Sequence, residues 1–195
     1  MKKFFANEMF LGTMIAILSV LTAGVSYLGS MSDSKQNEYE IQGMKDLNDG
    51  NAEYLRANQD ITQDYNYFDN WYLNVDERPE IADYYQTNFS EALQSAIDTD
   101  PETVWIDEYY DAMYADAYSL WDSSDTAFAK ASEYDDRGDQ LQLVMLIFAL
   151  GLAFVAWSSL LGAESNMRLL FSIAGFIALA AGIAIYFLLV PVIAG

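Results

Sequence analysis

The chain has 195 residues, with 29 Asp and Glu against 9 Lys and Arg, and a formal net charge of −20. It contains neither cysteine nor histidine, which excludes disulfides, thiolate chemistry, His-based triads, imidazole metal sites and histidine pH switches. Although acidic, it is 53% hydrophobic, and the apolar residues fall in blocks rather than being spread through the chain.

After an amino-terminal tail, residues 1–8, comes the first block. Met9 to Leu28 carries no charge over 20 residues. That meets the roughly 20 apolar residues a helix needs to cross a hydrocarbon core of about 30 Å. The block is also longer than a secretory h-region of about 7–15 residues, so residues 9–29 are expected to be an uncleaved transmembrane anchor.

Residues 30–140 then hold 27 of the 29 acids and 6 of the 9 bases, a net charge of −21. Such a field repels nucleic acid and anionic headgroups, so no nucleic-acid partner is expected here. The hydrophobic spacing is helical. Met44, Leu47, Tyr54, Ile61, Tyr65, Phe68, Tyr72 and Val75 fall on one heptad stripe with Asn51 and Asn58 as polar members. A second stripe, Ile106, Tyr110, Met113, Ala117, Leu120, Ser124, Ala127, Ala131 and Tyr134, steps by alternating fours and threes.

Pro79 and Pro101 punctuate the stretch between them, and Asp100-Pro101-Glu102 reads as a helix start. The expected helices are therefore 33–75, 80–97 and 101–139, with the last entering the membrane unbroken and with Gly29 and Ser30 able to kink the junction between the first span and the first of these helices. The two long helices would make an antiparallel, coiled-coil-like hairpin with one short helix at its tip, reaching on the order of 60 Å. Its expected core is Tyr54, Ile61, Tyr65, Phe68, Tyr72, Ile106, Tyr110, Met113 and Leu120. Tyr114, Tyr118, Trp121 and Phe128 make a second aromatic face, covered by the short helix or left for a partner or another copy.

Two more uncharged blocks close the chain, a second span at 141–161 and a third at 169–190, joined by a short link at 162–168 and followed by a tail at 191–195. Ala174, Ala178 and Gly182 form a small-residue ridge suited to close helix packing. Lys2, Lys3 and Arg168 favour a cytoplasmic amino terminus and link, with the acidic domain outside the cytoplasm. The fold class expected is thus an all-α membrane protein.

Chemical motifs are sparse. There is no phosphate-binding loop, dinucleotide fingerprint or nucleophile elbow. The acidic runs at Asp98, Asp100 and Glu102 and at Glu133, Asp135 and Asp136 lack EF-hand spacing and read as capping and solvation. No span carries an ionisable residue between its ends, which disfavours an ion pathway. No catalytic residue, metal or cofactor is expected.

The closing third, AFAKASEYDDRGDQLQLVMLIFALGLAFVAWSSLLGAESNMRLLFSIAGFIALAAGIAIYF, runs an Ala-rich amphipathic helix into a paired-span hairpin. In this plan the chain resembles uncharacterised prokaryotic three-span membrane proteins, families of unknown function, and the resemblance implies topology only. The expected function is a non-enzymatic membrane scaffold or accessory subunit. It would form a homo-oligomer or join a larger membrane complex within the lipid bilayer of the cell membrane. The alternatives are an extracytoplasmic helical sensor and a channel-like oligomer.

Overall fold

A computed structural model describes residue 5 and residues 7–193. The remaining tail positions, including the Lys2 and Lys3 used for orientation, lie outside the described residues.

Five helices follow in order: α1 (Glu8–Asn74), α2 (Pro79–Gln86), α3 (Glu91–Thr99), α4 (Asp107–Leu160) and α5 (Asn166–Leu189). No strand occurs among the described residues. Helices α1, α4 and α5 are each long and apolar enough to cross a membrane.

Three local expectations are corrected. First, α1 passes Gly29 and Ser30 without a break. A glycine costs a helix only about 1 kcal/mol relative to alanine, and Gly29 is buried, facing Leu141.

Second, the single short helix is two. Ser90 caps α3, its Oγ accepting from Leu93 N at 3.0 Å, and this cap separates α3 from α2. Third, Asp100 terminates α3 rather than starting the next helix. Its N–H donates to Ala96 O, its carboxylate accepts from Glu102 N, and residues 101–106 form a connection before α4. That connection is non-helical where Val104 and Trp105 turn into an apolar cluster.

The chain divides into two compact units, Met1–Glu40 with Ala129–Gly195, and Ile41–Phe128. In the first, Leu11, Met14, Leu18 and Val25 of α1 pack with Leu141, Val144, Phe148 and Val155 of α4. Helix α5 closes against α4 through glycines. A Cβ on Gly175 would lie 2.2 Å from Val155 Cγ2, and one on Gly182 would lie 2.4 Å from Phe148 Cε1.

Of the expected ridge, Gly182 is buried, while Ala178, facing Gly151, and Ala174 are half-buried. Near the boundary of this unit Tyr39 stacks on Tyr134 at 5.7 Å, with Lys130 Nζ 5.4 Å from the Tyr39 ring. In the second unit Ile61, Leu93, Ala96, Ile97, Val104 and Tyr109 form one buried cluster, flanked by Phe68, Phe89, Trp105 and Met113.

Candidate functional site

The acidic unit is where the sequence places its interaction residues, and its seam is built from an unusual choice of side chains. The face of α1 turned inward carries Gly43, Asp46, Gly50, Ala57, Ile61 and Asp64, all buried. Five of these six are small or acidic, so α4 supplies the bulk.

Phe128 covers Gly43, where an added Cβ would meet its ring at 2.8 Å, and Trp121 covers Gly50 at 2.7 Å. Ser124 Oγ donates to Gly43 O at 2.9 Å. Asp46 accepts from Gln42 Nε2 at 2.7 Å and from Ser123 Oγ at 2.8 Å. These two hydrogen bonds, Gln42's first, hold its carboxyl below the usual carboxylate range.

Further along, Tyr54 stacks on Tyr114 at 4.9 Å, and Tyr114 Oη donates to Asn58 Oδ1 at 3.0 Å. Burial, ahead of its tyrosine neighbours, raises the Tyr114 hydroxyl. The Tyr65 and Tyr110 hydroxyls meet at 2.6 Å. That bond, with some burial, pushes Tyr110 up to about 12. From Gly43 with Phe128 to Tyr65 with Tyr110, positions rise along α1 as they fall along α4.

Beyond them lies the most buried carboxyl group of this unit. Asp64, 2% exposed, accepts from Ser90 N at 3.0 Å, Ser90 Oγ at 2.5 Å and Tyr109 Oη at 2.8 Å. One carboxylate thereby ties α1 to the cap of α3 and to the first turn of α4. Burial, followed by the hydrogen bond to Asp64, drives the Tyr109 hydroxyl well above its ordinary range.

Beside this junction is an open cleft of about 670 Å³ among α1, α3 and α4. Glu53, Asp60, Asp64, Glu91 and Asp116 line it together with Arg56. Arg56 lies 3.5 Å from Glu53 and 3.9 Å from Asp60. Among the described residues no three acids converge closely enough to hold a metal ion.

The expected site residues are therefore distributed as follows. Tyr114, Trp121 and Phe128 are half-buried against α1, and Tyr118, 44% exposed, packs beside Tyr114 and Trp121. This face is thus covered largely by α1 and not by the short helices, because Gly43 and Gly50 leave room for the rings.

Of the expected core, Ile61 is buried, and Phe68, Ile106, Tyr110, Met113 and Leu120 are half-buried. Tyr54, Tyr65 and Tyr72 are exposed, Tyr72 to 67%. The inward stripe of α1 lies about one residue away from the apolar one. Asp64, Ser90 and Tyr109 were not anticipated. The one local signal was Ser90 before a helical run, since a buried aspartate resembles any other acid in so acidic a segment.

Comparison with protein-family models, curated proteins and solved structures finds no match to this chain.

Proposed function

We propose that this chain is a non-enzymatic integral membrane scaffold or accessory subunit. In this reading α1 and α4 of the acidic unit form an antiparallel, coiled-coil-like hairpin. The outward apolar stripe of α1 receives a helix from another subunit. One observation carries it: Met44, Leu47 and Tyr72 of the heptad stripe stay exposed while Gly43, Asp46, Gly50, Ala57 and Asp64 take the inside. Exposed apolar stripes bordered by charge mark association surfaces.

Charge narrows the partner. Residues 41–128 hold 20 acids and 3 bases, a net charge of −17. A helix flanked by Lys and Arg complements that field, whereas a second copy is opposed by it unless salt screens the repulsion. The Lys and Arg distribution favours an acidic unit outside the cytoplasm, and the resemblance in plan to prokaryotic three-span proteins fits this topology.

A second reading, a ligand-binding sensor module, has the cleft beside Asp64 in its favour. A small molecule copurifying there would support it.

The test uses the full chain extracted from its native membrane in mild detergent, comparing the wild type with the double variant Leu47→Ser, Tyr72→Ser. Native mass spectrometry should show a complex that the variant loses, with helical content by circular dichroism unchanged. A complex of the same mass in both would reject the α1 stripe as the contact surface.

A further inference from the structure

At the other end of the chain, the turn from α4 into α5 buries a cation that its surroundings only partly satisfy. Arg168, in the first turn of the 24-residue α5, is 3% exposed. Its Nη1 donates to Leu161 O at 2.8 Å, while Ser158 Oγ donates to the Arg168 carbonyl at 2.7 Å. These two bonds clasp the link.

The rest of the guanidinium is unmet. Among the described residues, Arg168 Nε and Nη2 have no hydrogen-bond partner, and neither does Ser172 Oγ, which is one turn further along α5 and 0% exposed. Among those residues no carboxylate lies within ion-pair distance of Arg168. Glu164, the acid of the link, is exposed.

The identity of the open atoms matters. Nε and Nη2 are the side-on fork of arginine, two parallel donors whose spacing matches two oxygens of one phosphate or carboxylate. Ser172 adds a hydroxyl on the same helix face, and the carbonyl to which a helical serine usually back-bonds, that of Arg168, already accepts from Ser158. The amino-terminal end of α5 favours negative charge. A buried guanidinium without a counter-charge is costly, and an anion with two acceptor oxygens would offset that cost at both open donors.

We infer that Arg168 and Ser172 form an oxyanion site at the α4–α5 turn, taking a phosphate group from a membrane lipid or from solution. The turn joins two candidate spans, which puts a phospholipid headgroup within reach; a soluble phosphate offers the same oxygens. The inference is independent of the scaffold reading, because none of the residues of the α1 stripe takes part.

The experiment uses the delipidated full chain in non-ionic detergent. Thermal unfolding is followed with phosphatidylglycerol, with inorganic phosphate, or with matched sodium chloride, and retained lipid is read by native mass spectrometry. Wild type should gain several degrees in Tm from one phosphate source over chloride. Stabilisation by phosphatidylglycerol alone, with a retained adduct, identifies a lipid site; stabilisation by inorganic phosphate identifies a soluble ligand.

Arg168→Lys, which keeps the charge but removes the fork, should weaken the response at least tenfold in ligand concentration, and Ser172→Ala by several-fold. Should Arg168→Lys fail to fold, Ser172→Ala decides the matter. No response in the wild type beyond chloride means the open donors hold water only, and an undiminished response in Ser172→Ala and any folded Arg168→Lys means the ligand binds elsewhere. Either result overturns the site.

Discussion

Gly50 and Trp121 show how a small residue can specify a large one. The indole occupies the space that any β-carbon on Gly50 would enter, at 2.7 Å from Cδ1. Gly50→Ala improves helix propensity by about 1 kcal/mol, but overpacking against a ring held between helices costs about 1–3 kcal/mol. The net expectation is a less stable acidic unit, measurable as a lower denaturant midpoint, and Trp121→Ala should cost more, about 3–5 kcal/mol. An unchanged midpoint in both would mean the ring does not sit on the glycine.

Asp64 is a residue of the opposite kind, a buried charge stabilised by three donors. Asp64→Leu should destabilise by at least about 3 kcal/mol, because it removes the acceptor of hydrogen bonds to a charged group worth about 1.5–3 kcal/mol each and leaves donors unpaired.

Tyrosine ionisation gives this junction a pH signature. An unfolded tyrosine ionises near 10, while Tyr110 is pushed up to about 12 and Tyr109 is also raised. With the folded value above the unfolded one, the stabilisation is fully present below about pH 10 and is lost as pH rises towards about 12. Tyrosinate absorbance should therefore lag behind that of the denatured chain. Tyr65→Phe should reduce the lag by removing the partner of Tyr110.

Among the elements, α1 and α4 reach their lengths by different means. Helix α4 matches its sequence stripe from Ala117 through Ser124, Ala127 and Ala131, all buried. Helix α1 places its apolar stripe to one side and buries Gly43, Asp46 and Gly50 instead, because the aromatic rings of α4 need recesses and not further bulk. Of the two short helices, α3 depends on its cap. Ser90→Ala removes both the α3 cap and a donor to Asp64, so it should cost more than the roughly 1 kcal/mol of an ordinary cap.

Helix α5 relies on absent side chains. Gly175→Leu would force a β-carbon to within 2.2 Å of Val155 Cγ2. That variant should separate α5 from α4, detectable as loss of a disulfide engineered between the two helices.

For the molecule as a whole, charge is the governing quantity. A net charge of −20, with 27 of the 29 acids in one segment, makes self-repulsion a standing cost of the compact state. Thermal stability of the full chain should rise with sodium chloride as the screening length falls to about 10 Å near 0.1 M. The steepest gain is expected at low ionic strength, and a flat response would show that the acids are already compensated locally. Only three ion pairs occur among the described residues, and all are exposed, so such compensation is small.

Hydrophobic blocks of about 20 residues and an unbroken 3.6-residue period depend on local chain chemistry, so three candidate spans and an all-helical fold could be read from the amino acids alone. The break before Pro79 and the regular spacing on α4 were legible for the same reason. Which face of α1 turns inward was not, because it depends on the rings α4 brings to Gly43 and Gly50. Neither were the split between α2 and α3 or the isolation of Arg168. The inward face of α1 and the anchoring of Ser90 follow from partners distant in sequence: Asp64 lies 26 positions before Ser90 and 45 before Tyr109. Periodicity reports how much apolar surface a helix offers, whereas contact between helices determines where that surface ends up.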